Sequence, residues 1–374
     1  MPDGRAEVTE SRGAPRPRPV GLWAVVAVSI VAVLLGTLPG VTLAYEVPGQ
    51  AWFTLTTRDG EIICQTGFSL SPGDEYTDEW NQVWVVEEVV GRTAVARLDR
   101  ILDLSRAVEE FRLALEAGAL AQGGRPQIGL YHTHSDESYV PSDGSESDPG
   151  GHGGVYQVGE AFAKALKANG LAVRHDQTNH LPHDAGAYER SRRTATQVLQ
   201  GSTAIFDVHR DAAPPEAYGR QVSGRRVTQI MLVVGRANPG AGANQGFAEA
   251  LKAAADRVHP GLVRGILRTG GDFNQDLSGR ALLLEVGAHT NRREEAERAV
   301  TLLASVVPEV LGAGPGPQSV SAWRTAGLIL GAVVVGGGLW LYVATGGDWR
   351  AAWNKLRSLG EEFASYLGRR PPRG

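Results

Sequence analysis

The stretch from Ile128 to Tyr139, IGLYHTHSDESY, ends an apolar run on two histidines one residue apart, then an aspartate and a glutamate. Two other runs end in similar company. AIFDVHRD closes on His209, Arg210 and Asp211, and ALLLEVG holds Glu285 in a run too apolar for an exposed strand. Neutral imidazole and carboxylate suit zinc, and a catalytic zinc commonly takes three protein ligands and keeps one position open for water. His134, Glu137 and His209 supply such a set. Glu285 is left over, and a second carboxylate beside a metal is what a general base needs. Arg210 and His132 are candidates for steadying developing negative charge. Each residue also has a duller reading. A strand-end histidine can cap a loop, and Glu285 can pair with Arg280 or Arg210. His132 and His152, the latter in GGHGG, are alternatives for the third ligand.

For these residues to meet, their runs must end at one edge. From Gln127 the chain alternates short β-branched runs with amphipathic ones such as VYQVGEAFAKALKANG and RREEAERAVTLLASVVPEVLG. That alternation predicts an α/β fold with a parallel-rich twisted sheet and helices on both faces, spanning 125–312. Ligands of such sheets collect at the carboxyl ends of the strands, where His134, His209 and Glu285 fall. Residues 46–124 read as a small β module plus a helix, with runs such as NQVWVVEEVV and no cluster that suggests chemistry. Residues 313–325 read as a linker.

The net charge of −4 gives no argument for nucleic acid as a partner. Two uncharged stretches, 21–45 and 326–345, are long enough to cross roughly 30 Å of hydrocarbon as helices. The expectation is therefore a chain flanked by two transmembrane helices, with a cleaved signal peptide as the rival for the first. Arg5, Arg12, Arg16 and Arg18 precede the first stretch; Arg350, Lys355 and Arg357 follow the second. The positive-inside rule then puts the disordered tail 1–20 and the basic amphipathic tail 346–374 in the cytoplasm, and the domain between outside the cell membrane. The lone Cys64 fits either compartment.

The segments LYHTHSDESY, FDVHRDA, MLVVGRANP and FNQDLSGRALLLEVGAHTNRREEAERA resemble stage II sporulation protein P, over roughly residues 125–312. That resemblance implies the fold of zinc-dependent N-acetylmuramoyl-L-alanine amidases: a His-Glu-His set on Zn2+ and a catalytic glutamate. It carries the first ligand to His134, the later histidine to His209 and the catalytic role to Glu285. The middle ligand falls on Glu137, although the approach to the first helix offers only His152. It implies a membrane-anchored peptidoglycan hydrolase that cuts the amide between N-acetylmuramic acid and L-Ala, and peptide cross-links as a second activity. The expected setting is engulfment in the intermembrane space of the sporangium, with stage II sporulation proteins D and M as partners. The rival classes are a non-catalytic peptidoglycan-binding scaffold and a metal-dependent deacetylase or phosphoesterase. Asn274, Gln275 and Asp276 are candidates for holding peptide, with loop capping as the alternative.

Overall fold

The computed structural model describes residues 52–118, 126–184, 186–313, 339–340, 342–351, 353–355 and 357. Period-two apolar runs form β1 (Phe53–Thr56), β2 (Ile62–Thr66), β3 (Glu75–Thr77), β4 (Gln82–Val90) and β5 (Thr93–Ile101), followed by helix α1 (Ala107–Gly118). Then come β6 (Gln127–Tyr131), α2 (Val155–Ala168), β7 (Ala172–His175), α3 (Ala187–Leu199) and β8 (Ala204–Asp211). The last part comprises β9 (Gly219–Val222), β10 (Arg225–Thr228), β11 (Ile230–Gly235), α4 (Ala241–Val258), β12 (Val263–Thr269), β13 (Ala281–Ala288) and α5 (Arg293–Ala304).

All the strands but β9 and β10 join one sheet in the order β2-β1-β5-β4-β3-β12-β11-β13-β8-β6-β7. Strands β7, β6, β8 and β13 run parallel. Strands β11 and β12 run parallel to each other but antiparallel to β13. The three strands expected to carry the chemistry, β6, β8 and β13, are therefore neighbours whose carboxyl ends share one edge. The run RRVTQIMLVVG, which reads as one strand, is two, because Arg225–Thr228 turns back to pair with β9 as a hairpin.

One face is sealed by helices. Phe162 of α2, Phe247 and Leu251 of α4 and Val300 of α5 pack on Leu130, Phe206, Val208, Leu232 and Leu284. Each such buried side chain contributes about 1.5–3 kcal/mol relative to leaving it exposed. The other face differs from the expectation of helices on both sides. Helix α3 covers only part of it, with Ala195 and Val198 on Tyr131 and Ile205. The rest, including Met231, Val233, Leu267 and Leu283, is covered by Leu55, Cys64 and Tyr76 of the first strands and by Phe68 just after β2. Those strands also extend the sheet, because β3 pairs with β12.

The two transmembrane helices are corrected by the structure: no helix among the described residues is long and apolar enough to cross a membrane. Residues 21–45 and most of 326–345 lie outside the described residues. The described part of the second stretch, 339–340 and 342–344, is helical and ends at a turn over Thr345–Gly347.

Candidate metal centre

Strand β8 decides where the chemistry goes. Phe206 and Val208 enter the helix-covered core, so the alternation of a strand turns Asp207, His209 and Asp211 to the other face. On β13, Leu284 and Val286 enter the same core, so Glu285 also faces away from it. The parallel register sets Glu285 opposite His209, one strand spacing of about 4.8 Å away. The ladder shifts just after Glu285, where Gly287 takes φ 76° and a Cβ would meet Thr228 at 2.6 Å. Bulges of this kind re-aim side chains next to functional sites.

The loop after β6 brings His134 and Glu137 to the same place. Glu137 Oε1 lies 3.1 Å from His134 Nδ1 and 3.3 Å from His209 Nδ1, and Glu137 Oε2 accepts the Arg210 main-chain N–H at 3.0 Å. Ligand atoms of His134, Glu137 and His209 all lie within 4.8 Å of one another. The far nitrogen of His209 lies 3.0 Å from Asp207 Oδ1, and Asp207 also accepts the Thr133 N–H and hydroxyl at 2.8 and 2.6 Å. A carboxylate behind an imidazole fixes its orientation and raises its basicity as a ligand.

The electrostatics favour a cation at this point. Burial alone would raise Glu137, but the charges of His209 and Arg210 and the two imidazole contacts hold it well below the usual carboxylate range. Burial alone would lower His209, but Asp207 and Glu137 hold it well above its ordinary value. Two imidazoles and one carboxylate, buried and convergent, fit a three-ligand zinc site.

Among the alternatives for the third ligand, His132 is committed elsewhere. Its Nδ1 lies 2.9 Å from Val208 O and its Nε2 lies 2.8 Å from His175 Nε2. Burial, then the neighbouring His175, pushes it down to about 3, so it stays neutral. His152 is exposed and rests edge-on to Tyr156. The Arg210 guanidinium lies 4.0 Å from Glu137 Oε1 and donates to Glu146 O, which places it beside a candidate ligand. Asn274, Gln275 and Asp276 are used within the fold: Asn274 donates to Tyr188 O, Gln275 joins Gly235 N to Val233 O, and Asp276 pairs with Arg192. Sequence reasoning missed Asp207, His183 and Tyr188. Asp207 was open to detection, because it stands two residues before His209 on the same strand face. His183 and Tyr188 lie in a loop and a helix start about which local pattern says nothing.

Two outcomes are expected here. Asp207→Asn should weaken zinc affinity about 10- to 100-fold, read by competition with a chromophoric chelator. The Gly-rich GGHGG segment is explained by close approach: a Cβ on Gly153 would lie 2.1 Å from Glu137 O. Gly153→Ala should therefore cost about 1–3 kcal/mol of stability and weaken zinc binding, because the backbone it displaces is that of Glu137 in the candidate metal cluster. Urea unfolding and the same competition assay check both effects.

A parallel-strand edge that gathers two imidazoles and a carboxylate, with another carboxylate on the next strand, defines an α/β protein built around a candidate metal centre. A family model described as stage II sporulation protein P matches residues 86–308. The chain belongs to the stage II sporulation protein P family. Stage II sporulation protein P of Bacillus subtilis (strain 168) is 30% identical over 207 residues, covering 50% of this chain and 52% of the relative. The chain thus spans about half the length of the curated relative it matches.

Proposed function

We propose that this chain is a peptidoglycan hydrolase of sporulation, a zinc-dependent amidase that cuts the bond between N-acetylmuramic acid and the L-Ala of the stem peptide. The observation that carries this reading is Glu285, buried on the strand beside His209 and facing the same way as the His134–Glu137–His209 cluster. His134, Glu137 and His209 would hold the zinc, which would supply Lewis acidity and a water of lowered pKa. Glu285 takes a proton from the attacking water and returns it to the leaving nitrogen. Asp207 orients His209, and Arg210 holds Glu137 in place. The substrate lies outside the cytoplasm, so the domain acts there, in the sporangial intermembrane space, with stage II sporulation proteins D and M as partners.

The test is digestion of purified sacculi by the zinc-loaded chain, with and without a chelator, followed by mass spectrometry. Chelator-sensitive release of stem peptides with a free L-Ala amine supports the amidase. Products carrying intact stems with broken cross-links make it an endopeptidase. Free acetate or phosphate makes it a deacetylase or a phosphoesterase, and wall binding with no soluble product makes it a scaffold.

A further inference from the structure

We propose that the Tyr188 ring is the platform on which the sugar side of the substrate rests at this centre, an inference that builds on the amidase reading. The residues that would perform the chemistry are almost closed to solvent: His134 is 4% exposed, His209 and Glu285 1%, and Glu137 0%. Against the two imidazoles pack Glu137, Asp207, His183 and Tyr188. Of these four, only His183 and Tyr188 retain partial exposure. Among these four groups, the boundary that stays partly open to solvent is made of those two rings.

His183 is held as a wall. Its ring stacks on His134 at 3.9 Å, and its Nδ1 lies 3.0 Å from Asp136 Oδ1. Tyr188 presents an edge to His134 at 5.4 Å and lies nearly parallel to His209, at 15° and 6.3 Å. It is braced from behind. Phe273 meets it at 5.3 Å, and Phe68 meets Phe273 at 5.8 Å. Asn274 Nδ2 donates to the Tyr188 carbonyl at 2.9 Å. Phe273 and Asn274 hold this brace with φ of 55° and 56°, a conformation that costs a non-glycine residue energy and concentrates at ligand clamps.

The scissile amide has two unlike sides. One is a pyranose with its lactyl arm, and the other is a peptide that bears carboxylates. A rigid aromatic ring offers a flat apolar surface to the C–H faces of a pyranose at little entropic cost. The phenol O–H can donate to a carboxylate, but the ring face carries no charge to pair with one. The ring face of Tyr188 is thus matched to the sugar, and a substrate without the pyranose separates the two contacts.

The experiment compares the zinc-loaded full chain on N-acetylmuramoyl pentapeptide and on lactoyl pentapeptide, which keeps the amide but lacks the ring. The wild type should favour the sugar-bearing substrate in KM. Tyr188→Ala should reduce that preference about tenfold, the loss of roughly one aromatic contact, with zinc stoichiometry intact, and Tyr188→Trp should restore it. Loss of zinc in Tyr188→Ala, or an equal rise of KM on both substrates, would make the ring a brace for the imidazoles and overturn the proposal. An unchanged preference overturns it as well. A wild type that cleaves neither compound removes the amidase reading and the platform together.

Discussion

Glu285→Gln is expected to lower kcat on sacculi about 100- to 10,000-fold, the range that a positioned general base contributes, while zinc stays bound. The substitution is close to isosteric, and the site is 1% exposed, so shape and packing barely change. What changes is the ability to accept a proton. The side chain faces the same way as His209 from the adjoining strand, and it is not one of the three clustered ligand residues. Metal content should therefore match the wild type. Glu285→Asp keeps the carboxylate but withdraws it by one methylene, and its activity should fall between the two. Release of dye from labelled sacculi gives the rate, and atomic emission gives the zinc. A Gln variant with full turnover and full zinc would return the proton transfer to some other group.

His209→Ala should have two large effects, one on the metal and one on the fold. Removing one member of the three-residue candidate set should abolish zinc binding, so the rise in melting temperature expected for the wild type with zinc should vanish. In the absence of metal the variant should also lose about 3–5 kcal/mol, the usual result of leaving buried charge without its counter-charge. His209 lies between Asp207 and Glu137, and all three are at most 2% exposed. The pH dependence follows from the shifts. Glu137 and Asp207 are both held low in the folded protein, so their contribution is present above about pH 4 and is lost as pH falls. His209 is held high, so its contribution is full below about pH 6.5 and is lost as pH rises through its folded value. The deficit of the variant should therefore be greatest between about pH 4 and 6.5 and smaller on either side. Urea midpoints at three pH values, in chelator, measure it.

The sequence displayed the ends of the site better than its middle. His134, His209 and Glu285 each close or interrupt an apolar run, and runs of that kind in an alternating chain become neighbouring parallel strands. The structure brings the first two together and sets Glu285 beside them. Glu137 depends on a loop, and a loop path is set by contacts such as the Val155 N–H on Glu137 O, which no periodicity encodes. Strands β3, β9 and β12 are not legible in the sequence, for different reasons, and β3 is only the three residues EYT beside a turn-rich SPGD. Gly219–Val222 is short and polar, and Val263–Thr269 is interrupted by Arg264 and Gly265. Residues 46–124 show where local pattern stops being informative. Their runs show that they are strands, but nothing in them shows that they fold over the sheet they extend. Nor do they show that the Gly67 N–H donates to Asp211 Oδ1 at 2.7 Å, two residues beyond His209.

That last bond bears on how the molecule can be divided. A fragment starting near Gln127 would leave β12 as a raw sheet border and strip the cover from Met231, Val233, Leu267 and Leu283. Even the family match, which opens at residue 86, starts inside β4. A piece that keeps this sheet paired and covered must reach back to Phe53, because the opening strands and the edge that carries the candidate metal centre belong to one sheet.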